Sequence, residues 1–272
     1  MALRVAINGF GRIGRLVYRA ILESNNDNIE VVCINDLGSA ESNAHLLKFD
    51  STHGILPQDI KVDGDTMDAG QGPVRVTAER DPADLPWKEL NVDIALECTG
   101  FFASKEKASA HLEAGAKRVI VSAPAGGADI TVVYGVNSDQ ITADHTVISN
   151  ASCTTNCLAP VAYVLNNAVG IERGFMTTIH SFTGDQRTVD TLHSDLHRAR
   201  TASASMIPTS TGAAKAVGLV LPELNGKLDG TSVRVPTPNV SLIDFTFTPG
   251  KETSVEEING AISAAAASGS LK

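Results

Sequence analysis

The sequence lacks long hydrophobic runs. No apolar stretch in its 272 residues approaches the length of about 18 residues that marks a membrane-spanning helix, and the N-terminus does not have the pattern of a secretory signal peptide. Cysteine is also scarce, with only Cys33, Cys98, Cys153 and Cys157. Small secreted domains depend on disulfides, whereas cytosolic proteins keep their thiols reduced. We therefore expect a cytoplasmic protein that does not cross a membrane.

The sequence also has fewer basic residues than acidic ones. The chain has 22 Lys and Arg against 31 Asp and Glu, which gives a formal net charge of −9. This balance disfavours nonspecific binding to nucleic acid or to an acidic membrane, although a local basic pocket can still hold a phosphate. The sequence also lacks low-complexity tracts, internal repeats and a flexible linker. Its length and its 43% hydrophobic content favour one large globular domain or two ordinary ones.

The N-terminal segment has the pattern of a dinucleotide-binding motif. A strand-like run over residues 3–7 precedes Gly9, Gly11 and Gly14 in the spacing G-x-G-x-x-G, and apolar residues at helical spacing follow. Asp36 ends the next strand-like run, 22 residues after Gly14. Glycines let backbone amides approach a pyrophosphate at the helix N-terminus, and the acidic residue can bind the ribose diol. Alone, the glycine pattern is often a plain turn, but this context predicts dinucleotide binding.

Further buried strands are predicted along the first half of the chain. Apolar runs occupy residues 93–100, 118–124, 131–137 and 145–149, and residues 104–116 between the first two are helical in pattern. Strands that alternate with helices predict an α/β fold with a mostly parallel, doubly wound, Rossmann-type sheet. Ligands bind at the carboxyl ends of such strands, which places Thr99, Gly100 and Ser122 near the cofactor. Cys33 and Cys98 lie in strand runs and are expected to be inert core residues.

Two cysteines four residues apart open the next helical pattern, in the segment ISNASCTTNCLAPV. Cys157 shares a predicted apolar face with Leu158, so we expect it in the core. Cys153 lies in the first turn after Asn150 and Ser152, either of which can cap the helix. A helix N-terminus lowers a thiol pKa. A zinc site would need more ligands, and a disulfide is disfavoured in a reducing compartment. The local pattern therefore leaves two interpretations of Cys153 open, a nucleophile or an inert cysteine. A predicted strand that ends at His180 could supply the base that a nucleophilic cysteine needs.

The sequence resembles phosphorylating glyceraldehyde-3-phosphate dehydrogenase. The motifs INGFGRIGR, NASCTTNCLAP, TSTGAAKAVG, LPELNGKL and RVPTPNVS carry the resemblance, in one register along all 272 residues. It implies a glycolytic, NAD-dependent enzyme in which Cys153 attacks the aldehyde of glyceraldehyde 3-phosphate and His180 takes the thiol proton. Hydride transfer then leaves a thioester, which inorganic phosphate cleaves to 1,3-bisphosphoglycerate. No metal is implied.

The resemblance also assigns binding residues. For NAD, it implies Arg12 and Ile13 at the pyrophosphate, Asp36 at the adenosine ribose, and Arg80 and Ser122 nearby. For the substrate phosphate, it implies Thr183, Arg200 and Arg234, with Arg198 a lesser rival to Arg200. For the attacking phosphate, it implies Ser152, Thr154, Thr211 and Gly212. Thr191 and Leu192 stand where many NAD-specific relatives have a small residue and proline, so some NADP use stays open.

The chain differs from the family more in its length than at Thr191 and Leu192. Relatives continue for roughly 60 more residues, a span in keeping with two domains of ordinary size. We expect residues 1–150 to bind the dinucleotide and residues 151–272 to form an α+β catalytic domain that is incomplete at its C-terminus, with weak stability and slow turnover. The family forms homotetramers. The alternatives are an erythrose-4-phosphate dehydrogenase, which hydrolyses its thioester, and a truncated module that binds nucleotide without catalysis.

Overall fold

The computed structural model describes residues 2–272, and these form two compact units. The first unit runs to Thr131 and includes residues 141–150, and the second comprises residues 132–140 and 151–272. No helix among the described residues is long and apolar enough to span a bilayer. Each unit has its own sheet and its own hydrophobic core.

The first unit contains eleven strands and four helices. In chain order they are β1 (Leu3–Asn8), α1 (Arg12–Ser24), β2 (Ile29–Asn35), α2 (Ala40–Lys48), β3 (Phe49–Asp50), β4 (Gly54–Ile55), β5 (Lys61–Asp63), β6 (Thr66–Asp68), β7 (Pro73–Thr77), β8 (Ile94–Glu97), α3 (Lys105–Ala108), α4 (Ala110–Glu113), β9 (Arg118–Val121), β10 (Ile130–Thr131) and β11 (Val147–Ser149).

Nine of these strands form one sheet in the order β10-β11-β9-β8-β1-β2-β7-β6-β5. Pairing is parallel from β10 to β7 and antiparallel across β7, β6 and β5. Neighbouring residues of β1 contribute to different cores, Ile7 to one cluster and Ala6 to another. Both faces of the sheet are therefore covered, which confirms the doubly wound α/β fold.

Two details differ from the sequence predictions. The apolar run at 131–137 is a strand only to Thr131, because Asn137 Oδ1 accepts a hydrogen bond from the Val133 amide (2.9 Å) and closes a turn in which Gly135 has a φ of 79°. Val133 instead packs into the core of the second unit. The helical stretch at 104–116 is divided at Ser109, whose hydroxyl donates to the Lys105 carbonyl (2.7 Å).

The second unit is α+β. Its elements are α5 (Cys153–Val169), β12 (Ile171–Ser181), β13 (Ile207–Thr209), α6 (Ala213–Val220), β14 (Leu228–Val235), β15 (Leu242–Pro249) and α7 (Val255–Ala267). The strands form a sheet in the order β13-β14-β12-β15, with β12 and β14 parallel and the other two pairs antiparallel. Residues of α5, α6 and the inner sheet face share one hydrophobic core. This packing fixes the start of α5 relative to the end of β12.

Candidate active site

A cavity of about 500 Å³ opens at the carboxyl ends of β1, β2 and β8. Five predicted cofactor residues line it, namely Gly9, Gly11, Asp36, Arg80 and Thr99. The other lining residues are Asn8, Asn35, Leu37, Glu79, Cys98, Phe101 and Phe102. The cavity therefore lies at the sheet edge where parallel α/β folds bind their ligands.

The glycines of the motif have two distinct roles. Gly9 has a φ of 89°, and a Cβ there would lie 2.7 Å from the Thr99 amide nitrogen. A Cβ on Gly14 would lie 2.1 Å from the Gly9 carbonyl oxygen, so this glycine lets α1 pack against the preceding loop. A Cβ on Gly11, in contrast, would meet nothing within 4 Å. The open space at Gly11 lies at the N-cap of α1, where backbone amides can receive a pyrophosphate.

Asp36 is held in place at the edge of the cavity. Its carboxylate accepts hydrogen bonds from the Phe10 amide (2.8 Å) and the Gly38 amide (3.1 Å). A fixed carboxylate suits the two hydroxyls of a ribose and repels a phosphate on the same sugar. The residues that line this cavity thus fit a dinucleotide, and NAD in particular.

The remaining predicted cofactor residues are outside the set that lines the cavity. Arg12 and Ile13 begin α1, where Arg12 forms an ion pair with Asp50 (2.7 Å) and Ile13 is half exposed. Gly14 is buried in α1, and Gly100 occupies a turn with a φ of 78°. Ser122 forms a hydrogen bond with the Cys98 thiol.

Cys153 is the first residue of α5, in the second unit. The N-cap residue Ser152 accepts a hydrogen bond from the Thr155 amide (3.0 Å), and Ala151 before it has a φ of 56°. This sharp turn leaves Cys153 exposed at the helix N-terminus. A helix N-terminus favours negative charge, so the position suits a thiolate.

His180 completes a thiol–imidazole pair. It lies near the end of β12, and its Nε2 is 3.2 Å from Cys153 Sγ. The hydrogen bond between Cys153 and His180 lowers the pKa of Cys153 most. Burial opposes this effect, and the charge of His180 and hydrogen bonds with Thr154 lower the pKa further. The Ser181 carbonyl, which can only accept, is 2.7 Å from His180 Nδ1. The donor Arg234 Nη1 is farther from this nitrogen (3.1 Å) and also reaches the Ser181 carbonyl (3.2 Å), so we place the proton on Nδ1. In the neutral ring Nε2 then carries the lone pair, which can take the thiol proton.

Arg234 lies beside His180 on the next strand. The two residues are paired in register between β12 and β14, and Arg234 Nη1 is 3.1 Å from His180 Nδ1 and 3.2 Å from the Ser181 carbonyl. Its buried Nε has no hydrogen-bond partner among the described residues. Burial, followed by the nearby charge of Arg198, lowers the pKa of Arg234. A guanidinium with an unused donor suits an anion such as a phosphate.

The start of α6 offers a second place for an anion. Gly212 is the N-cap residue and a Cβ there would meet nothing within 4 Å, while the Thr211 hydroxyl accepts from the Ala213 amide (3.2 Å). Thr154, by contrast, is buried and bonded to the Cys153 thiol. Backbone amides and a hydroxyl at a helix N-terminus are the donors that a phosphate requires.

Two predicted substrate residues are exposed to solvent. Thr183 is exposed, and Arg200, whose side chain is 71% exposed, pairs with Asp190 (3.2 Å). Arg198 is more buried, and its charge lies close enough to Arg234 to affect the pKa of that group. In this conformation Arg198 is thus the arginine nearer to Arg234.

The prediction for Cys157 was wrong. We expected a core residue, but its side chain is exposed. The buried stripe of α5 passes through Leu158, Ala162, Leu165 and Val169, and each helical step rotates by about 100°. Cys157 is one step away from that stripe. Cys33 is buried, and burial raises the pKa of both Cys33 and Cys98 to about 11, as expected for inert thiols.

Sequence reasoning missed a buried polar cluster below the cavity. Glu97, at the end of β8, contacts His111 of α4, and the pair connects through Asn8 and Thr99 to the cavity wall. Asn8 and Asn35 each end a strand just before a predicted cofactor residue, which is a signal that the sequence offered. No local pattern marks His111. The described residues bring no three metal-ligating side chains together.

Dehydrogenases that oxidise an aldehyde through an enzyme thiol need a dinucleotide site and an activated cysteine. The first unit has a cavity that fits a dinucleotide, and the second has a thiol–imidazole pair. Each feature is typical of this class, and comparison with known proteins narrows the assignment. Residues 3–105 match the family model "Glyceraldehyde 3-phosphate dehydrogenase, NAD binding domain", and residues 152–272 match "Glyceraldehyde 3-phosphate dehydrogenase, C-terminal domain".

Curated relatives carry the same name. A glyceraldehyde-3-phosphate dehydrogenase of Xanthobacter flavus is 71% identical over 98% of this chain and 79% of its own length. Those of Cereibacter sphaeroides and Zymomonas mobilis are 66% and 63% identical, over 98% and 100% of this chain and 79% and 81% of their own lengths. The chain belongs to the glyceraldehyde-3-phosphate dehydrogenase family, and NAD is its cofactor.

Proposed function

We propose that this chain catalyses the NAD-dependent, phosphorylating oxidation of glyceraldehyde 3-phosphate to 1,3-bisphosphoglycerate, a step of glycolysis. The observation that carries the proposal is the 3.2 Å contact between Cys153 Sγ and His180 Nε2 at the N-terminus of α5. A thiolate is the nucleophile that forms a thiohemiacetal with an aldehyde. Its pKa is already lowered before substrate binds.

The chain's own groups account for each proton and charge in the proposed reaction. Cys153 attacks the aldehyde carbon, and His180, having taken the thiol proton at Nε2, donates it to the developing oxyanion. The same imidazole then withdraws that proton as the carbonyl of the thioester re-forms. NAD, bound at the cavity of the first unit, supplies the hydride acceptor. The oxidised carbon stays on Cys153 as a thioester, which is a good acyl donor.

Phosphate chemistry follows from the two anion sites. We propose that Arg234, with Thr183 and Arg200, binds the phosphate of the substrate, and that Ser152, Thr154, Thr211 and Gly212 bind the attacking phosphate. The unpartnered Nε of Arg234 supports the first site, and the open N-cap of α6 supports the second. Arg200 would have to leave Asp190 to take part. Attack of phosphate oxygen on the thioester releases the acyl phosphate and restores the Cys153 thiolate.

The two units divide the work in this proposal. We propose that residues 1–150 bind NAD and that residues 151–272 bind the substrate. Within the first range, residues 132–140 pack with the second unit. We propose Arg12 and Ile13 at the pyrophosphate and Ser122 near the cofactor, in addition to the residues that line the cavity.

We propose that the enzyme is cytoplasmic and that its full-length form is a homotetramer. The free state of all four cysteines supports a reducing compartment. The outer face of the second sheet exposes Phe175 of β12 and Leu242 of β15, which are 51% and 58% exposed. Both side chains lie on the same face of the sheet, because Leu242 is opposite Ile179 in the register of β12 and β15. Exposed apolar surface of this kind is available for contact with another subunit. Light scattering after gel filtration measures the assembly, and a mass of one chain would contradict it.

Phosphate dependence tests the proposed function. Steady NADH formation from glyceraldehyde 3-phosphate should require inorganic phosphate, because only phosphate attack releases the product rapidly. The matched control is Cys153→Ser, which keeps the shape of the site and lacks the thiolate. NADH formation by that variant at the parent rate would remove Cys153 from the mechanism.

A further inference from the structure

A fully buried acid–histidine pair lies inside the first unit, which does not contain the reactive thiol. The side chains of Glu97 and His111 have no exposed surface, and Glu97 Oε2 is 2.9 Å from His111 Nε2. Burying two ionisable groups is costly unless every donor and acceptor is used. Replacing such a pair with apolar residues often costs nothing, so its presence calls for a reason beyond stability.

The proton positions in this pair follow from Trp87. The indole nitrogen Nε1 can only donate, and it lies 3.0 Å from His111 Nδ1. Nδ1 is therefore the acceptor, and the proton of a neutral imidazole is on Nε2, from which it points at Glu97 Oε2. His111 thus acts as a neutral donor, and Glu97 carries the negative charge.

Glu97 receives four donors. Besides His111, Asn8 Nδ2 donates to Oε2 (2.6 Å), and both the amide and the hydroxyl of Thr99 donate to Oε1. Burial alone raises the pKa of Glu97, but hydrogen bonds from His111, Thr99 and Asn8 outweigh it and hold this pKa below its usual value. The carboxylate is thus ionised and fully satisfied.

Two chains of hydrogen bonds run from this carboxylate into the wall of the cavity. Through Asn8 Oδ1, the first reaches Asn35 Nδ2 (2.7 Å), and Asn35 Oδ1 then accepts from the Glu79 amide (2.8 Å). Through the Thr99 hydroxyl, the second reaches the Phe101 amide (3.0 Å). All five of these residues line the cavity, and neither Glu97 nor His111 does.

We propose that Glu97, oriented by His111, is a positioning residue for NAD binding: its buried carboxylate fixes Asn8 and Thr99, and through them the cavity wall on both sides. The proposal rests on the cavity being the dinucleotide site. Glu97 touches no cofactor and takes part in no proton transfer. Its effect is to keep the wall in one arrangement before NAD arrives, which lowers the ordering cost of binding.

Glu97→Gln tests this with little change of shape. The amide nitrogen of glutamine would face two donors, so at least one chain of hydrogen bonds must break. We expect the dissociation constant for NAD, measured by titration calorimetry on the folded protein, to rise about tenfold or more, which corresponds to about 1.4 kcal/mol. The rate of Cys153 alkylation in the absence of NAD should stay at the parent value, because the thiol pair lies in the other unit.

Trp87→Phe is the matched control. It removes one hydrogen bond from the same buried cluster but leaves every donor of Glu97 in place. We expect it to lower the melting temperature and to change NAD affinity by less than about threefold, below the roughly 1 kcal/mol of an ordinary hydrogen bond. Equal weakening of NAD binding by both variants would reduce the cluster to a stabilising role and overturn the proposal.

A pair of substitutions at His111 gives a second test that does not depend on Glu97→Gln folding. Glutamine can place a donor nitrogen near the position of Nε2, whereas leucine cannot. His111→Gln should keep NAD affinity close to that of the parent, and His111→Leu should weaken it. Unchanged affinity in folded Glu97→Gln or His111→Leu protein would overturn the positioning role alone, and failure of the parent to bind NAD would overturn the dinucleotide site as well.

Discussion

Replacing His180 with asparagine removes the group that lowers the Cys153 pKa most. In the folded protein, Nε2 of His180 lies 3.2 Å from the sulfur. His180 is only 6% exposed, whereas Cys153 is exposed, so solvent reaches the contact from the side of the thiol. Asparagine is smaller and polar, and it can still donate to the Ser181 carbonyl. The substitution should therefore disturb the fold little while it removes both the base and the positive charge from the thiol.

The size of the effect follows from the kind of contact that is lost. A hydrogen bond to a charged group contributes about 1.5–3 kcal/mol, and about 1.4 kcal/mol is a tenfold change in an equilibrium. A more basic thiolate is also a better nucleophile, which offsets part of the loss. We expect the rate of Cys153 alkylation by iodoacetamide at pH 7 to fall about tenfold.

The direction of the pKa change in the His180→Asn variant can be read from the pH dependence of alkylation. Because His180 lowers the Cys153 pKa, the parent keeps its thiolate at pH values where the variant is protonated. The pH–rate curve of His180→Asn should therefore be displaced to higher pH, and the two curves should converge above the usual thiol pKa of about 8.5. Cys157 shares a peptide with Cys153 and is exposed, so the measurement uses a Cys157→Ser background.

His197→Asn serves as the matched control, since it is the same change in the same unit on a side chain that is 72% exposed. Its alkylation curve should coincide with that of the parent. If His180→Asn also gave the parent curve, the thiol would owe its reactivity to the helix N-terminus alone, and the role of His180 as base would be wrong.

Three further predictions concern the fold and the two ligand sites. Gly14→Ala should destabilise the first unit by at least about 1–3 kcal/mol in urea unfolding, because the added Cβ would lie 2.1 Å from the Gly9 carbonyl oxygen. Gly11→Ala is the control and should leave stability unchanged, because its added Cβ would meet no atom within 4 Å. Equal effects of the two substitutions would contradict the packing role of Gly14. Asp36→Ala should narrow the preference for NAD over NADP in binding titrations, and an unchanged ratio would show that another group repels the 2′-phosphate. Thr211→Val should raise the KM for phosphate about tenfold, the cost of one charge-assisted hydrogen bond, with the KM for glyceraldehyde 3-phosphate unchanged; a rise in both would place Thr211 at the substrate phosphate.

Local patterns were enough to predict the parts of the site that adjacent residues form. The strand–glycine–helix pattern around Gly9 and the capped helix start at Cys153 each depend on a few consecutive residues, and both are present. A local pattern alone could not predict the thiol–imidazole pair, because Cys153 and His180 are 27 residues apart. It was predictable because α5 and β12 follow one another directly.

Side-chain arrangements set by distant partners were not predictable in the same way. His111 contacts Glu97 and Trp87 across 14 and 24 residues, and no periodicity points to either. Cys157 was assigned to the core wrongly, because the positions of apolar residues in the sequence define the buried face of a helix only to within about one residue. The run after Thr131 has the composition of a strand, but a hydrogen bond from the Val133 amide to the Asn137 side chain and packing in the core of the second unit determine its conformation.

The central claim is that Cys153 forms an acyl intermediate that phosphate releases. A single-turnover experiment with NAD and glyceraldehyde 3-phosphate in phosphate-free buffer, followed by intact and peptide mass spectrometry, tests it directly. We predict a burst of NADH of at most one equivalent per site, an acyl adduct on Cys153, and loss of that adduct with steady turnover when phosphate is added. Steady NADH formation without phosphate, or a burst with no adduct on Cys153, would contradict the account.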